Sequence, residues 1–216
     1  MKESKENVLV AGANGNTGKR IVQLLKESQY FNPVALVRKK EQTNQFEEND
    51  IAVVLGDLEK DLSHAIKNID KVVFAAGSGG DTSAEKTTLV DQEGAKRLVD
   101  VAKTANVKKF VMLSSINADD PSSNKNLEHY LEAKQNADEH LKNSGLNYTI
   151  VRPGTLKDDN GTGKIYAKEK LEKLGKISRQ DVAETLVTVL NDEVANKSTF
   201  EMIEGEMPIQ EAVKSF

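Results

Sequence analysis

The chain has 216 residues, 30 of them basic and 34 acidic, and its net charge of −4 suits a soluble protein with one sizeable core and argues against a surface built to grip nucleic acid. Cysteine is absent, which excludes disulfides, thiol nucleophiles and Cys-ligated metals. No apolar run approaches bilayer length, the first strand signal comes soon after Met1, and His64, His129 and His140 share no ligand spacing, so a cytoplasmic protein with no membrane contact and no metal is expected.

The apolar run Val8-Leu-Val-Ala11 enters Gly12-Ala-Asn14-Gly15-Asn16-Thr17-Gly18 and continues into Lys19 to Leu25, where Ile21, Val22, Leu24 and Leu25 recur at helical spacing. A strand running into a helix through three glycines reads as a dinucleotide-binding turn. Gly12 can take the tight turn, Gly15 can admit a pyrophosphate to the backbone, and Gly18 can let the helix pack close. The free N–H groups and positive dipole end of the helix then face the phosphates. The spacing departs from G-x-G-x-x-G, so a ligand-free glycine turn is the competing reading, and the motifs that follow in order favour the ligand.

Pro33-Val-Ala-Leu-Val-Arg38 reads as the second strand, ending where this fold meets the adenosine ribose. Arg38, with Lys39 and Lys40 behind it, offers a planar fork and charge to a 2′-phosphate, so NADP(H) is expected over NAD(H); a surface charge at a strand end is the plainer alternative. Ile51 to Leu55 reads as a third buried strand, followed by Gly56-Asp57-Leu58 and a helix carrying Leu62, Ala65, Ile66 and Ile69. Asp57 can accept from an adenine amino group while the next N–H donates to the ring, or it can cap the helix. Lys71 to Ala76 is the fourth strand, opening into Gly77-Ser-Gly-Gly80, where small residues let a ribose and nicotinamide lie against the main chain; a mobile glycine loop would look the same.

Thr87 to Ala105 reads as a long helix with Leu89, Val90, Leu98, Val99 and Ala102 inward and Gly94 in its middle, there for close packing. The pair Lys108-Lys109 reads as solvated loop, and Val107 to Leu113 as a fifth strand ending in Ser114-Ser115. Tyr130 and Lys134 follow, four residues apart and so on one face of a helix, where an ammonium favours a phenolate and reaches a cofactor ribose. Such a phenol can pass a proton to or from a substrate oxygen, although many ordinary helices carry this pair. Asn147 to Gly154 is a sixth strand stopped by Pro153, Asp158 to Gly163 a polar loop, Ser178 the N-cap of a helix with Asp181 three residues on, and Phe200 to Ile203 a last strand. The alternation predicts an α/β fold: a Rossmann-type doubly wound parallel sheet flanked by helices, one domain over residues 1–216, with a small C-terminal substrate lobe from segments 154–176 and 198–216.

Together, Gly12-x-x-Gly15-x-x-Gly18, Gly56-Asp57-Leu58, Ala75-Ala76-Gly77, Leu113-Ser-Ser115, Tyr130-x-x-x-Lys134, Val151-Arg-Pro153-Gly154 and Ile177-Ser-Arg-Gln-Asp181 resemble the short-chain dehydrogenase/reductase superfamily over nearly the whole chain. The resemblance is to its atypical branch of compact NAD(P)H-binding proteins, related to NAD-dependent epimerase/dehydratases, biliverdin reductase B-like flavin reductases and NmrA-like redox sensors. It implies that Gly12, Asn14, Gly15, Asn16, Thr17 and Gly18 hold the pyrophosphate and Arg38 the 2′-phosphate. Asp57 and Leu58 then take the adenine, and Ala75, Ala76, Gly77, Ser114 and Pro153 border the nicotinamide side. Tyr130 is the implied proton donor, Lys134 binds the ribose, and Ser115 orients the substrate oxygen; which of Ser114 and Ser115 faces the nicotinamide stays open. The expected function is an NADP(H)-dependent oxidoreductase moving hydride to or from a small carbonyl, quinone, flavin or sugar-like molecule. The alternatives are an epimerase/dehydratase-like enzyme and a non-catalytic redox sensor that binds a protein partner; monomer and homodimer both remain open.

Overall fold

The computed structural model describes residues 4–79 and 83–216. Strand β1 (Glu6–Ala11) leads into α1 (Asn16–Glu27), followed by β2 (Phe31–Val37), the short α2 (Asn44–Glu47), β3 (Ala52–Leu55) and β4 (Lys71–Phe74). Next come α3 (Ala84–Thr87), a π-helical stretch (Thr88–Gly94), α4 (Ala95–Thr104), β5 (Lys109–Leu113), α5 (Glu128–Asn143) and β6 (Tyr148–Pro153). The chain ends with β7 (Thr155–Lys157), β8 (Lys164–Lys168), β9 (Lys176–Ser178), α6 (Arg179–Thr188), β10 (Ser198–Glu204), β11 (Met207–Pro208) and α7 (Ile209–Ala212).

Nine strands form one sheet in the order β11-β8-β10-β6-β5-β4-β1-β2-β3. From β10 to β3 every pairing is parallel, as the βα alternation predicts. The strand order reverses between β1 and β4, and in such a sheet the crevice at that switch point, outside the carboxyl ends, is where ligands bind. Side chains alternate across the sheet. Val8 and Val10 pack with Ile21, Leu25 and Leu186 on the α1 and α6 side, while Leu9 and Ala11 pack with Leu98, Val99 and Leu141 on the α4 and α5 side. Each such fully buried Leu or Val contributes about 1.5–3 kcal/mol relative to exposure.

The structure departs from expectation in several places, each with a local cause. Between β3 and β4 there are turns rather than a helix: Lys60, Ala65 and Ile69 bond back only three residues, and Asn68 has φ 58°. Leu62, Ala65 and Ile66 are nonetheless buried, so the apolar spacing served core contact without a helical backbone. β3 is not a buried strand but the last of the sheet, with Ala52 and Leu55 exposed. The long helix from Thr87 widens into the π-helical stretch, which leaves Leu89 and Val90 half-buried and puts Asp91 inside. Gly94 does serve close packing: a Cβ there would stand 2.9 Å from Leu58 Cβ.

In the segments 154–176 and 198–216, β8 joins the main sheet antiparallel beside β10, β11 adds to β8, and β7 pairs with β9 in a separate two-stranded sheet. Ser178 caps α6 as expected, its hydroxyl accepting from Asp181 N at 2.9 Å. Of the glycine loop after β4, Gly80 lies outside the described residues.

Lys109 is fully buried, contrary to the solvated-loop reading, because it opens β5 and reaches under the sheet to the chain leaving α6. Its ammonium donates to Asn191 O at 2.9 Å, Val194 O at 2.6 Å and Asn196 Oδ1 at 2.8 Å. Lys71, opening β4, donates to Leu190 O at 2.9 Å and pairs with Glu6 at 2.7 Å and Asp192 at 2.8 Å. Two buried cations thus satisfy the carbonyls after the helix end, where the dipole also favours positive charge. Among the described residues no helix is long and apolar enough to cross a membrane.

Candidate active site

At the carboxyl ends of β1 to β4 lies a cavity of about 300 Å³, lined by Gly12, Asn14, Gly15, Leu36, Val37, Arg38, Gln42, Gly56, Asp57, Leu58, Glu59, Ala76, Gly77, Ser78, Lys86 and Val90. The three glycines of the first turn have separate physical roles. Gly12 has φ +85°, and a Cβ there would meet Ala76 Cα at 2.6 Å. Gly18 is buried, and a Cβ on it would overlap the Gly12 carbonyl oxygen. Both are demanded by the fold. Gly15, the N-cap of α1 with an ordinary extended backbone (φ −75°, ψ 166°), would place a Cβ no nearer than 3.3 Å to that oxygen. The space its missing side chain leaves belongs to the cavity, at a helix N-terminus with unpaired N–H groups, and an anionic group fits there.

Around that opening, Asn14 Oδ1 accepts from Gln45 Nε2 at 2.6 Å, which fixes the amide on the cavity wall. Asn16 and Thr17 begin α1, but Thr17 is buried and neither lines the cavity. Arg38 follows β2 directly, exposed, and among the described residues its guanidinium has no ion-pair partner. Its backbone N–H and that of Lys39 donate to Gln42 Oε1 at 3.1 and 3.0 Å, which folds the loop beneath it. Asp57 accepts from Glu59 N at 3.1 Å, so it caps a turn where the sequence suggested a helix, and it still faces the cavity. Glu59 and Lys86, which also line the cavity, form an ion pair.

Ala75 is held by a bond from its N–H to Ala11 O at 2.9 Å, and the cavity begins at the next residue, running over Ala76 and Gly77 to Ser78. There it meets the second constellation. Ser78 N donates to Asp91 Oδ2 at 2.8 Å, and Asp91 Oδ1 pairs with Lys134 Nζ at 3.0 Å. Asp91 and Lys134 are both buried. Burial pulls the lysine down, yet Asp91, with Tyr130 beside it, outweighs burial and holds the ammonium above the usual lysine range. Lys134 Nζ lies 5.6 Å from the centre of the half-buried Tyr130 ring, the one-turn relation that the spacing predicts. Neither Tyr130 nor Lys134 lines the 300 Å³ cavity; the Ser78–Asp91 link joins them to its end.

The two serines after β5 diverge. Ser114 is buried and donates to Asp138 Oδ2 at 2.8 Å, the carboxylate that also takes Arg152 at 3.0 Å, so its hydroxyl is turned into the core and away from the cavity. Ser115 is half-buried, with only a 3.3 Å bond to the next carbonyl. Pro153 ends β6, and its carbonyl accepts from Ile116 N at 3.0 Å; it shapes the loop after Ser115 without lining the cavity. Asp91, Gln42, Glu59 and Lys86 escaped the sequence reading. Asp91 had left a signal: it stands seven residues before Leu98, on the stripe that an amphipathic helix buries. Among the described residues no group of His, Asp and Glu is placed to hold a metal.

The profile of a family described as NAD(P)H-binding matches residues 12–193, from the glycine turn to beyond α6. The chain belongs to the NAD(P)H-binding family. A relative from Bacillus subtilis (strain 168), named as an uncharacterized sugar epimerase, YhfK, is 40% identical over 96% of this chain and 98% of its own. Among solved structures, a putative NAD-dependent epimerase/dehydratase from Bacillus halodurans is 40% identical, with a TM-score of 0.93 over 98% of this chain and all of that one (100%). The oxidoreductase ylbE from Lactococcus lactis is 29% identical, with a TM-score of 0.85 over 97% and 96% of the two chains. The family's description agrees with the position of the cavity, since the crevice at the reversal of strand order is where this sheet topology binds dinucleotides.

Proposed function

We propose that this protein is an NADP(H)-dependent oxidoreductase acting on a small carbonyl, quinone, flavin or sugar-like substrate. The observation that carries the reading is continuity. The glycine turn, Arg38 and Ser78 line one cavity, and Ser78 is tied through Asp91 to Lys134, one helical turn from Tyr130. Gly15 and the first N–H groups of α1 would hold the pyrophosphate, Arg38 the 2′-phosphate, Asp57 and Leu58 the adenine, and Ala76 and Gly77 the second ribose. The bound dinucleotide supplies or accepts hydride at its nicotinamide ring. The protein's own share is the proton and the geometry. Tyr130 gives a proton to the substrate oxygen, or takes one from it, with the Lys134 ammonium 5.6 Å from its ring. Ser115, whose hydroxyl is not committed to the Asp138–Arg152 pair, is the serine left to orient that oxygen.

The names of the 40% identical relatives favour a second reading, epimerase or dehydratase chemistry at the same Tyr130-Lys134 pair. A small substrate is preferred because the chain after Pro153 is spent largely on β8, β10 and β11 of the sheet. To test the reading, NADPH and NADH are titrated against wild type and Arg38→Asp, and NADPH absorbance is followed with carbonyl, quinone and flavin acceptors. Loss of a charge-assisted contact costs about 1.5–3 kcal/mol, so wild type should prefer NADPH by roughly tenfold or more and the variant should not. Equal affinities in wild type would remove the NADP(H) assignment. A nucleotide sugar interconverted without net NADPH consumption would favour the epimerase.

A further inference from the structure

We propose that Asp91 is a positioning residue: it grips the ammonium of Lys134 and the backbone of Ser78 with its two oxygens, keeping the lysine charged and at a fixed distance from the cavity wall. The inference rests on the NADP(H) reading for its purpose and on geometry for its substance. Asp91 is 1% exposed, and it comes from the π-helical stretch, a wide turn of the kind that often marks a functional site. Its Oδ1 lies 3.0 Å from Lys134 Nζ, and its Oδ2 takes Ser78 N at 2.8 Å. A Cβ on Gly77 would approach that same Oδ1 to 3.2 Å, so the backbone bordering the cavity is packed directly on the carboxylate.

The other groups facing Lys134 stand farther from its ammonium than Asp91 does. Tyr130, on the same helix, presents its ring at 5.6 Å. Asp138, one turn further on, accepts from Arg152 of β6 and from Ser114 through Oδ2 alone; its buried Oδ1 has no hydrogen-bond partner among the described residues, and it forms no ion pair with Lys134. Removing the charge of Asp91 therefore takes the nearest counter-charge from a buried ammonium, leaving burial, which lowers a lysine, opposed chiefly by the more distant Asp138. A plain helix-to-helix ion pair would need no contact with Ser78; this one spans three elements and ends at the cavity.

Asp91→Asn tests the proposal, because the amide oxygen can still accept from Ser78 while the charge is gone. Two measurements are made from pH 7 to 9.5: thermal unfolding without cofactor, and NADPH affinity by fluorescence. In wild type the lysine is held above its unfolded value, so its contribution is fully present up to about pH 10.4 and neither quantity should move on its account. In Asp91→Asn the folded lysine loses its proton before the unfolded one does, so the unfolded state binds more protons and the variant's stability rises with pH. The gap in Tm to wild type should narrow from pH 7 to 9.5, while NADPH affinity of the variant falls tenfold or more as the ammonium is lost. Asp91→Glu, which keeps the charge, should restore pH-independent behaviour.

A constant gap in Tm, whatever its size, would overturn the proposal, as would an Asp91→Asn affinity that runs parallel to wild type across the range. A narrowing gap in a wild-type background that binds no NADPH would support the charge-holding grip and sink the cofactor reading instead. If Asp91→Asn does not fold, Asp91→Asn with Lys134→Met decides: folding of the doubly neutral variant supports the pairing, and its failure overturns it.

Discussion

Gly15→Val separates the ligand's demand for glycine from the fold's. The backbone at Gly15 (φ −75°, ψ 166°) is extended and open to valine, and its nearest obstacle is the Gly12 carbonyl oxygen at 3.3 Å, which must give by a few tenths of an ångström. Gly15 caps α1 without a side-chain bond, so the loss is limited to the difference between glycine and valine as an N-cap, about 1 kcal/mol. For a chain of this size that lowers Tm by roughly 2–4 °C, and circular dichroism should show a folded protein. Affinity should respond far more, because the branched side chain fills the opening over the helix N-terminus. A loss of about 100-fold or more in NADPH binding, roughly 2.7 kcal/mol, is expected by fluorescence titration. Gly18→Val is the contrast, since its Cβ overlaps the Gly12 carbonyl and should prevent the turn from forming. A folded Gly15→Val protein that binds NADPH within about threefold of wild type would refute the argument that the cavity is shaped for a pyrophosphate.

Once a substrate is found, Tyr130→Phe should leave NADPH affinity unchanged and lower kcat by about 10² or more; wild-type turnover in this variant would remove the acid/base role. Lys109→Met removes the buried ammonium that donates to Asn191 O, Val194 O and Asn196 Oδ1 at the end of the sheet opposite the cavity; Asn196 Oδ1 keeps Asn147 Nδ2 as a donor. Stability should fall by about 1–2 kcal/mol with no change in NADPH affinity, measured by denaturant unfolding and titration; a loss under about 0.5 kcal/mol would show the network to be idle.

The order of the parallel strands, the parallel sheet and the glycine turn were legible in the sequence because they depend on local periodicity and on residues without a Cβ; the helix expected between β3 and β4 and the short strands β7, β8, β9 and β11 were not. The four-residue spacing of Tyr130 and Lys134 fixed their shared face for the same reason. The tertiary structure alone decided what those residues meet. Lys108 and Lys109 are adjacent and chemically alike, yet Lys108, in the bend before β5, is half-exposed and pairs with Glu6 and Asp70, while Lys109, the first residue of the strand, is sealed beneath the sheet. Ser114 and Ser115 diverge likewise, one to Asp138 and one to its own loop. Asp91 and Lys134 stand 43 positions apart in the chain, and no pattern within either helix announces their ion pair. It forms because the π-helical turn carries the carboxylate into a space that α5 closes, where a buried charge must find its opposite.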